Sequence, residues 1–138
     1  MNLNAQDRTI ERILADTKTI AVVGLSSDPA RAGNYVPAYL QQHGYRILPV
    51  NPNLDEALGE KVYPDLLSVT EPVDLVLLFR RSEAVPPFID QAIQIGAKAV
   101  WMQTGIINET AARSARLAGL DVIMDACMMI EHRRSQIQ

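Results

Sequence analysis

The segment Gly24-Leu-Ser-Ser-Asp-Pro-Ala-Arg-Ala-Gly33 holds residue types suited to binding phosphate. Gly24 allows a sharp turn that a side chain would resist. Ser26 and Ser27 offer hydroxyls, and Arg31 offers a fixed positive charge matched to phosphate oxygens. Asn34 is expected to open a helix whose free amides and dipole favour an anion. Since Gly and Ser are common in any loop, position in the fold has to decide what this one does. Similar polar sets recur downstream, at Asn51-Pro52-Asn53, Phe79-Arg80-Arg81-Ser82, Gln103-Thr104-Gly105 and Asp125-Ala126-Cys127. Two arginines after an apolar run require solvent, a carboxylate or an anion. Glu83 or Asp28 would serve for Arg80 and Arg81 as well as a phosphate would.

Other chemistries lack their patterns. After Gly24 the next glycine is Gly33, so Gly-x-Gly-x-x-Gly is absent, and no Gly-Lys-Ser/Thr occurs. An NAD site also needs Asp or Glu after the second strand to hold the ribose hydroxyls, and that place holds Asn51. His43 and His132 show no nucleophile or triad motif and read as surface or capping residues. Cys127 is expected just after the fifth strand, where a helix start would favour its thiolate, although a small buried core residue is the simpler role. Trp101, Met124, Met128 and Met129 read as core. No cluster of His, Cys and carboxylates has metal-ligand spacing.

These sets are separated by alternating strand-like and helix-like segments. Ile10, Ile13 and Leu14 make one apolar stripe in a helix over residues 6–16. Strands are predicted at Thr19–Val23, Tyr45–Val50, Val73–Phe79, Ala97–Met102 and Val122–Met124. Helices are predicted at Asn34–His43, Pro86–Ile95, from an N-cap at Asn108 to Ala118, and at Cys127–Arg134. Unalternated apolar strands suit a parallel sheet buried on both faces. The expected fold is therefore α/β: a Rossmann-like, doubly wound parallel sheet of about five strands in the order 3-2-1-4-5, with an extra N-terminal helix. In such sheets ligands bind beyond the carboxyl ends of the strands. All five polar sets fall there.

The 138 residues fit a single domain over 1–138, with 1–17 packed on it as a helix. Hydrophobic residues are 48% and charged residues 21%, which argues against disorder. A formal net charge of −3 disfavours nucleic acid and anionic membrane surfaces as partners. One cysteine excludes an internal disulfide framework. Asp7, Glu11 and Asp16 interrupt the N-terminal apolar positions, against a signal peptide, and a cytoplasmic location is expected.

Taken in order, Ile20-Ala-Val-Val-Gly-Leu-Ser with Asp28-Pro-Ala-Arg31, Pro49-Val-Asn-Pro52, Val73-Asp-Leu-Val76 with Phe79-Arg-Arg-Ser82, Trp101-Met-Gln103 with Gly105, and Asp125-Ala-Cys127 resemble the small stand-alone CoA-binding proteins. These are similar to the N-terminal CoA-binding domain of the succinyl-CoA synthetase α-subunit. The resemblance covers roughly Lys18 to Arg134. It implies coenzyme A as the cofactor. Gly24, Ser26, Arg31 and Gly33 would lie at the pyrophosphate, and Asn51, Pro52 and Asn53 near the adenosine. Phe79 and Arg80 would lie beside the nucleotide, and Gln103, Thr104 and Gly105 toward the pantetheine. The synthetase carries a lysine soon after its second strand, where this chain has Asn53 and Leu54. Its phosphohistidine lies in a later domain, so ligase activity is not implied. The reading is a binder of CoA or an acyl-CoA acting as carrier, sensor or partner subunit, alone, as a homo-oligomer or beside a partner enzyme. The alternatives are an NAD(P)-binding redox module, a small nucleotide-dependent enzyme, and an interaction module.

Overall fold

The computed structural model describes residues 5–137. Of the expected single domain, residues 1–4 and 138 lie outside those described.

The chain runs α1 (Ala5–Asp16), β1 (Thr19–Val23), α2 (Ala32–Gln42) and β2 (Arg46–Val50). A two-strand hairpin follows, β3 (Glu56–Ala57) and β4 (Glu60–Lys61), then β5 (Leu75–Leu78), α3 (Pro86–Gln94), β6 (Ala99–Met102), α4 (Glu109–Leu117), β7 (Asp121–Ile123) and α5 (Met128–Gln136). Five strands form one parallel sheet and the hairpin stands apart. The α/β, Rossmann-like architecture is as expected. The hairpin was not anticipated, because its strands are too short to show a pattern.

The strand order differs from the expected 3-2-1-4-5. It is β2-β1-β5-β6-β7, so the third long strand lies beside the first, on the side away from the second. Two features explain this. β5 is Leu-Val-Leu-Leu with every residue buried, a composition that needs covered edges as well as covered faces. In the expected order it would have been an edge strand. Pro49, lacking an N–H, instead suits the edge, and β2 takes that place. The reversal point of the winding therefore falls between β1 and β5, which moves the ligand crevice there.

Alternate residues of the central strands point to opposite faces. Ala21, Val23, Val76, Leu78, Val100 and Met102 pack with Ile89, Ala92, Ala112 and Ala115 of α3 and α4. Ile20, Val22, Leu75, Leu77 and Trp101 pack with Ile10, Ile13, Val36, Leu40 and Met128 of α1, α2 and α5. Trp101 is wholly buried, as its core assignment requires, and donates Nε1–H to the Ala126 carbonyl at 2.8 Å. α1 packs beside α5 and the edge strand β7.

Register sets the level of every loop. Val23 pairs with Val50 on one side and Leu78 on the other, and Leu78 pairs with Met102. The next residues, Asn51, Gly24, Phe79 and Gln103, therefore leave the sheet in one row at its carboxyl edge.

Candidate functional site

At the centre of that row Gly24 has φ +83°, and a Cβ there would lie 2.9 Å from the Phe79 carbonyl oxygen and 3.1 Å from Arg80 Cδ. Only glycine lets the loop after β1 lie against the exit of β5. Gly33 is also tightly placed, though less so, since a Cβ on it would lie 3.1 Å from the Gly24 carbonyl. The loop is closed by the Ser26 amide donating to the Gly33 carbonyl at 3.1 Å and by Asn34 Nδ2 donating to the Ser26 carbonyl at 2.8 Å.

Helix α2 begins at Ala32, two residues before the expected start, with Arg31 as the flanking residue. Asn34 therefore sits inside the first turn and ties down the loop; it does not open the helix. Helix α2 starts beyond the carboxyl end of β1, where a helix start favours an anion. Ser26 Oγ accepts from the Asp28 amide at 3.1 Å, which shapes the turn. Ser27 is exposed, and the Arg31 side chain is 76% exposed with Asp28 no nearer than 3.8 Å.

Asn51 is occupied by structure. Its Nδ2 donates to the Leu25 carbonyl and its Oδ1 accepts from the Asn53 amide, both at 2.8 Å. It fixes the spacing between the first loop and the end of β2, leaving Pro52 and Asn53 exposed beside it.

Past β5 the surface opens into a cavity of about 540 Å³. Phe79, Arg80, Arg81, Gln103, Thr104 and Gly105 line it together with Cys127. Arg80 and Arg81 both border the cavity, at the point where the chain has left the strand after Phe79. Arg81 meets Glu83 at 3.3 Å, while Arg80 lies over the Phe88 ring at 5.8 Å. Gln103 is 4% exposed, and its Oε1 accepts from the Met128 amide at 2.8 Å, so it caps α5. That bond leaves its NH2 unused, on a residue that lines the cavity. The Gly105 amide donates to Asp125 Oδ1 at 2.7 Å, which joins the loops after β6 and β7. Cys127 is the residue flanking α5 and is half-buried, on the ligand side as expected.

Reasoning from sequence missed the apolar wall: Ala32 and Tyr35 from α2, Ile106, and Met129 and Ile130 from α5. Apart from Ile106, which lies in the loop after β6, their signal was their place in first helical turns after strand ends, obscured by the tendency to count apolar residues as core. It also missed that the two histidines meet. Tyr39 Oη and His132 Nδ1 lie 2.8 Å apart, and His43 stacks on Tyr39 with ring centroids 4.0 Å apart. Burial, then the neighbouring His43, holds the buried His132 below the usual imidazole range. The cluster joins α2 to α5, whose first turns flank the cavity. A second depression, of about 520 Å³ beside Glu109, Arg113 and Leu117, lies on α4 and shares no residue with the strand ends. Among the described residues no group of three or more His, Cys, Asp or Glu could hold a metal, and no helix is long and apolar enough to cross a membrane.

Residues 18–133 match the family model of a CoA binding domain. The chain is 41% identical over 129 residues to the uncharacterized protein YneT of Bacillus subtilis, covering 94% of this chain and 96% of that one. It is 34% identical over 95 residues to ADP-forming acetate–CoA ligase II of Archaeoglobus fulgidus, which is 67% of this chain but 14% of the ligase. Among solved structures, Prb, a PH1109 protein redesigned for binding, superposes with TM-score 0.93 at 42% identity, covering 99% of this chain and 95% of that one.

Proposed function

This chain belongs to the CoA-binding domain family, and from that premise we propose that it binds coenzyme A across the carboxyl edge of its sheet as a carrier or partner subunit. The observation that carries the reading is the in-register row of Asn51, Gly24, Phe79 and Gln103. It leads from a glycine loop and helix start to a cavity holding two arginines and a buried amide. The ligand's chemistry runs in the same direction: adenosine and phosphates, then an uncharged arm.

In this reading the pyrophosphate meets Gly24, Ser26, Ser27, Arg31, Gly33 and the α2 start. The adenosine lies toward Pro52 and Asn53, with Asn51 as a positioning residue. Arg80 takes a phosphate beside Phe79, and Gln103, Thr104 and Gly105 receive the arm. An NAD(P) module is disfavoured because Asn51 replaces the ribose-binding carboxylate and is already spent on Leu25 and Asn53. The ligase relative is far longer than this chain, so a role beside a partner that performs the chemistry is a proposal.

The test is calorimetry with CoA, NAD, NADP and ATP side by side. CoA is expected to bind, and more weakly at high salt, because its phosphates meet exposed arginines. At 100 times its dissociation constant it should stabilise the fold by about 2.7 kcal/mol. An unchanged melting temperature with saturating CoA at low salt overturns the reading.

A further inference from the structure

We propose that helix α5 is a proton-sensitive latch: protonation of His132 releases the helix from α2 locally, while the sheet stays folded. The inference stands apart from the CoA reading and does not depend on it.

Three observations carry it. The first is how little else holds α5. Of its nine residues only Met128 and His132 are buried. Met128 lies in the first turn, in one core cluster with Trp101 and Ile123, and its amide donates to Gln103. Beyond that turn the only buried side chain is an imidazole, 7% exposed. Ile130 and Ile137, the remaining branched apolar residues of this stretch, are exposed. A helix fixed at one end by an apolar residue and along its length by a titratable one can open without the core.

The second is what surrounds His132. On the α2 side it meets Tyr39, whose Oη lies 2.8 Å from Nδ1, and His43, with ring centroids 5.1 Å apart. Tyr45 packs edge-on at 5.8 Å, and the Arg133 guanidinium lies over the Tyr39 ring at 5.0 Å. Helix α2 itself contains no Asp or Glu. Helix α1, which also packs on α5, carries Asp7, Arg8, Glu11, Arg12 and Asp16. Arg12 is held by Asp121, and no acidic residue of α1 is ion-paired with His132. On α5 the carboxylate of Glu131 is taken by Arg134 at 3.1 Å. Beneath, Trp101 and Ile123 carry no charge.

The third is the consequence for a proton. Neutral His132 shares one hydrogen bond with Tyr39. Protonated, it has two N–H donors and a positive charge enclosed beside His43 and Arg133, with no carboxylate to meet it. A buried charge without a partner is the costly case. Release of α5 returns the ring to water and relieves it. Burial, then His43, holds the docked imidazole below its usual range, so the released helix binds the proton more readily and falling pH favours release.

The experiment is amide hydrogen exchange on the full chain from pH 7.5 to 5.5, corrected for intrinsic rates. Amides of residues 132–136 should open more readily than those of β1 and β5 at every pH. Their opening constant should rise by up to about tenfold toward pH 5.5, the limit for uptake of one proton at a reference value near 6.5. His132→Gln, which keeps a polar side chain beside Tyr39 but cannot charge, should abolish the rise. Arg133→Glu, at an exposed position, supplies a carboxylate beside the cluster and should shrink it. Opening of α5 that equals that of the sheet at every pH overturns the latch, since the helix would then leave only when the whole chain unfolds. An opening constant that does not rise with acid overturns it too. A full rise kept by both variants overturns His132 as the trigger.

Discussion

The two ends of the sheet treat charge in opposite ways. At the amino ends of the strands, Asp74 Oδ2 accepts from the Lys18 and Thr19 amides at 2.9 and 3.0 Å, and Lys98 Nζ lies 3.4 Å from Oδ1. Burial pushes this carboxyl up, yet the two amides and Lys98 together hold it below the usual range. Arg46 bridges Glu60 and Glu71 at 2.7 and 2.8 Å, and Arg12 meets Asp121 at 2.7 Å. At the carboxyl ends Arg31 and Arg81 have only distant or exposed partners, and Arg80 rests on an aromatic ring. The same residue type is thus spent on the fold at one end and left available at the other. Pairing geometry, more than charge count, separates the paired arginines at the amino ends from those proposed to meet the ligand.

The strongest way to break this comparison is at Gly24. Gly24→Ala places a Cβ 2.9 Å from a backbone oxygen at positive φ, so the loop must shift. CoA binding is expected to be lost, with destabilisation of about 1–3 kcal/mol. Gly96→Ala is the control: φ is +79° but nothing lies within 4 Å, so it should cost about 1 kcal/mol and leave affinity unchanged. Denaturant melts and calorimetry on both variants decide it, and matching losses of affinity would show that the approach to Phe79 is unimportant.

A smaller effect comes from exchanging the ends. Arg80→Ala should weaken CoA about 10–150-fold through a lost charge-assisted contact, with little change in the denaturation midpoint. Arg31→Ala should weaken it more than Arg81→Ala does, since Arg31 flanks the helix start. Arg46→Ala should do the reverse, costing at most about 1 kcal/mol of stability and no affinity. Arginine variants that moved both quantities alike would erase the distinction between the ends.

The smallest expected effect concerns the link between α2 and α5. His132 binds its proton less readily in the folded chain than in the unfolded one. The unfolded state therefore takes up more protons as pH falls through about 6.5 and below, and stability is lost there. It should be fully present above about pH 7.5. The melting temperature, followed from pH 7.5 to 5.5, should fall, and His132→Gln should flatten the curve. An equal slope in the variant would place the sensitive group elsewhere.

Much of the fold was legible because its signals are local. β1 and β5 are unalternated apolar runs, Asn108 caps α4 by accepting from the Ala111 amide at 3.0 Å, and the glycine loop follows a strand. Helix and strand ends moved by one or two residues, as at α2, because terminal hydrogen bonds depend on neighbours. The strand order was misread even though Pro49 pointed to an edge.

By itself the sequence determined the alternation of strands and helices, and so a buried parallel sheet whose loops after the strands hold the polar residues. Backbone preference and apolar periodicity act over a few residues and need nothing more. Tertiary structure alone decided that β5 lies beside β1, that Gly24 touches Phe79, that Gln103 caps α5, and that Tyr39, His43 and His132 share one cluster. Each of these joins residues between 4 and 93 positions apart. All but the neighbouring Tyr39–His43 pair depend on how the crossovers stack the strands, which no local spacing encodes.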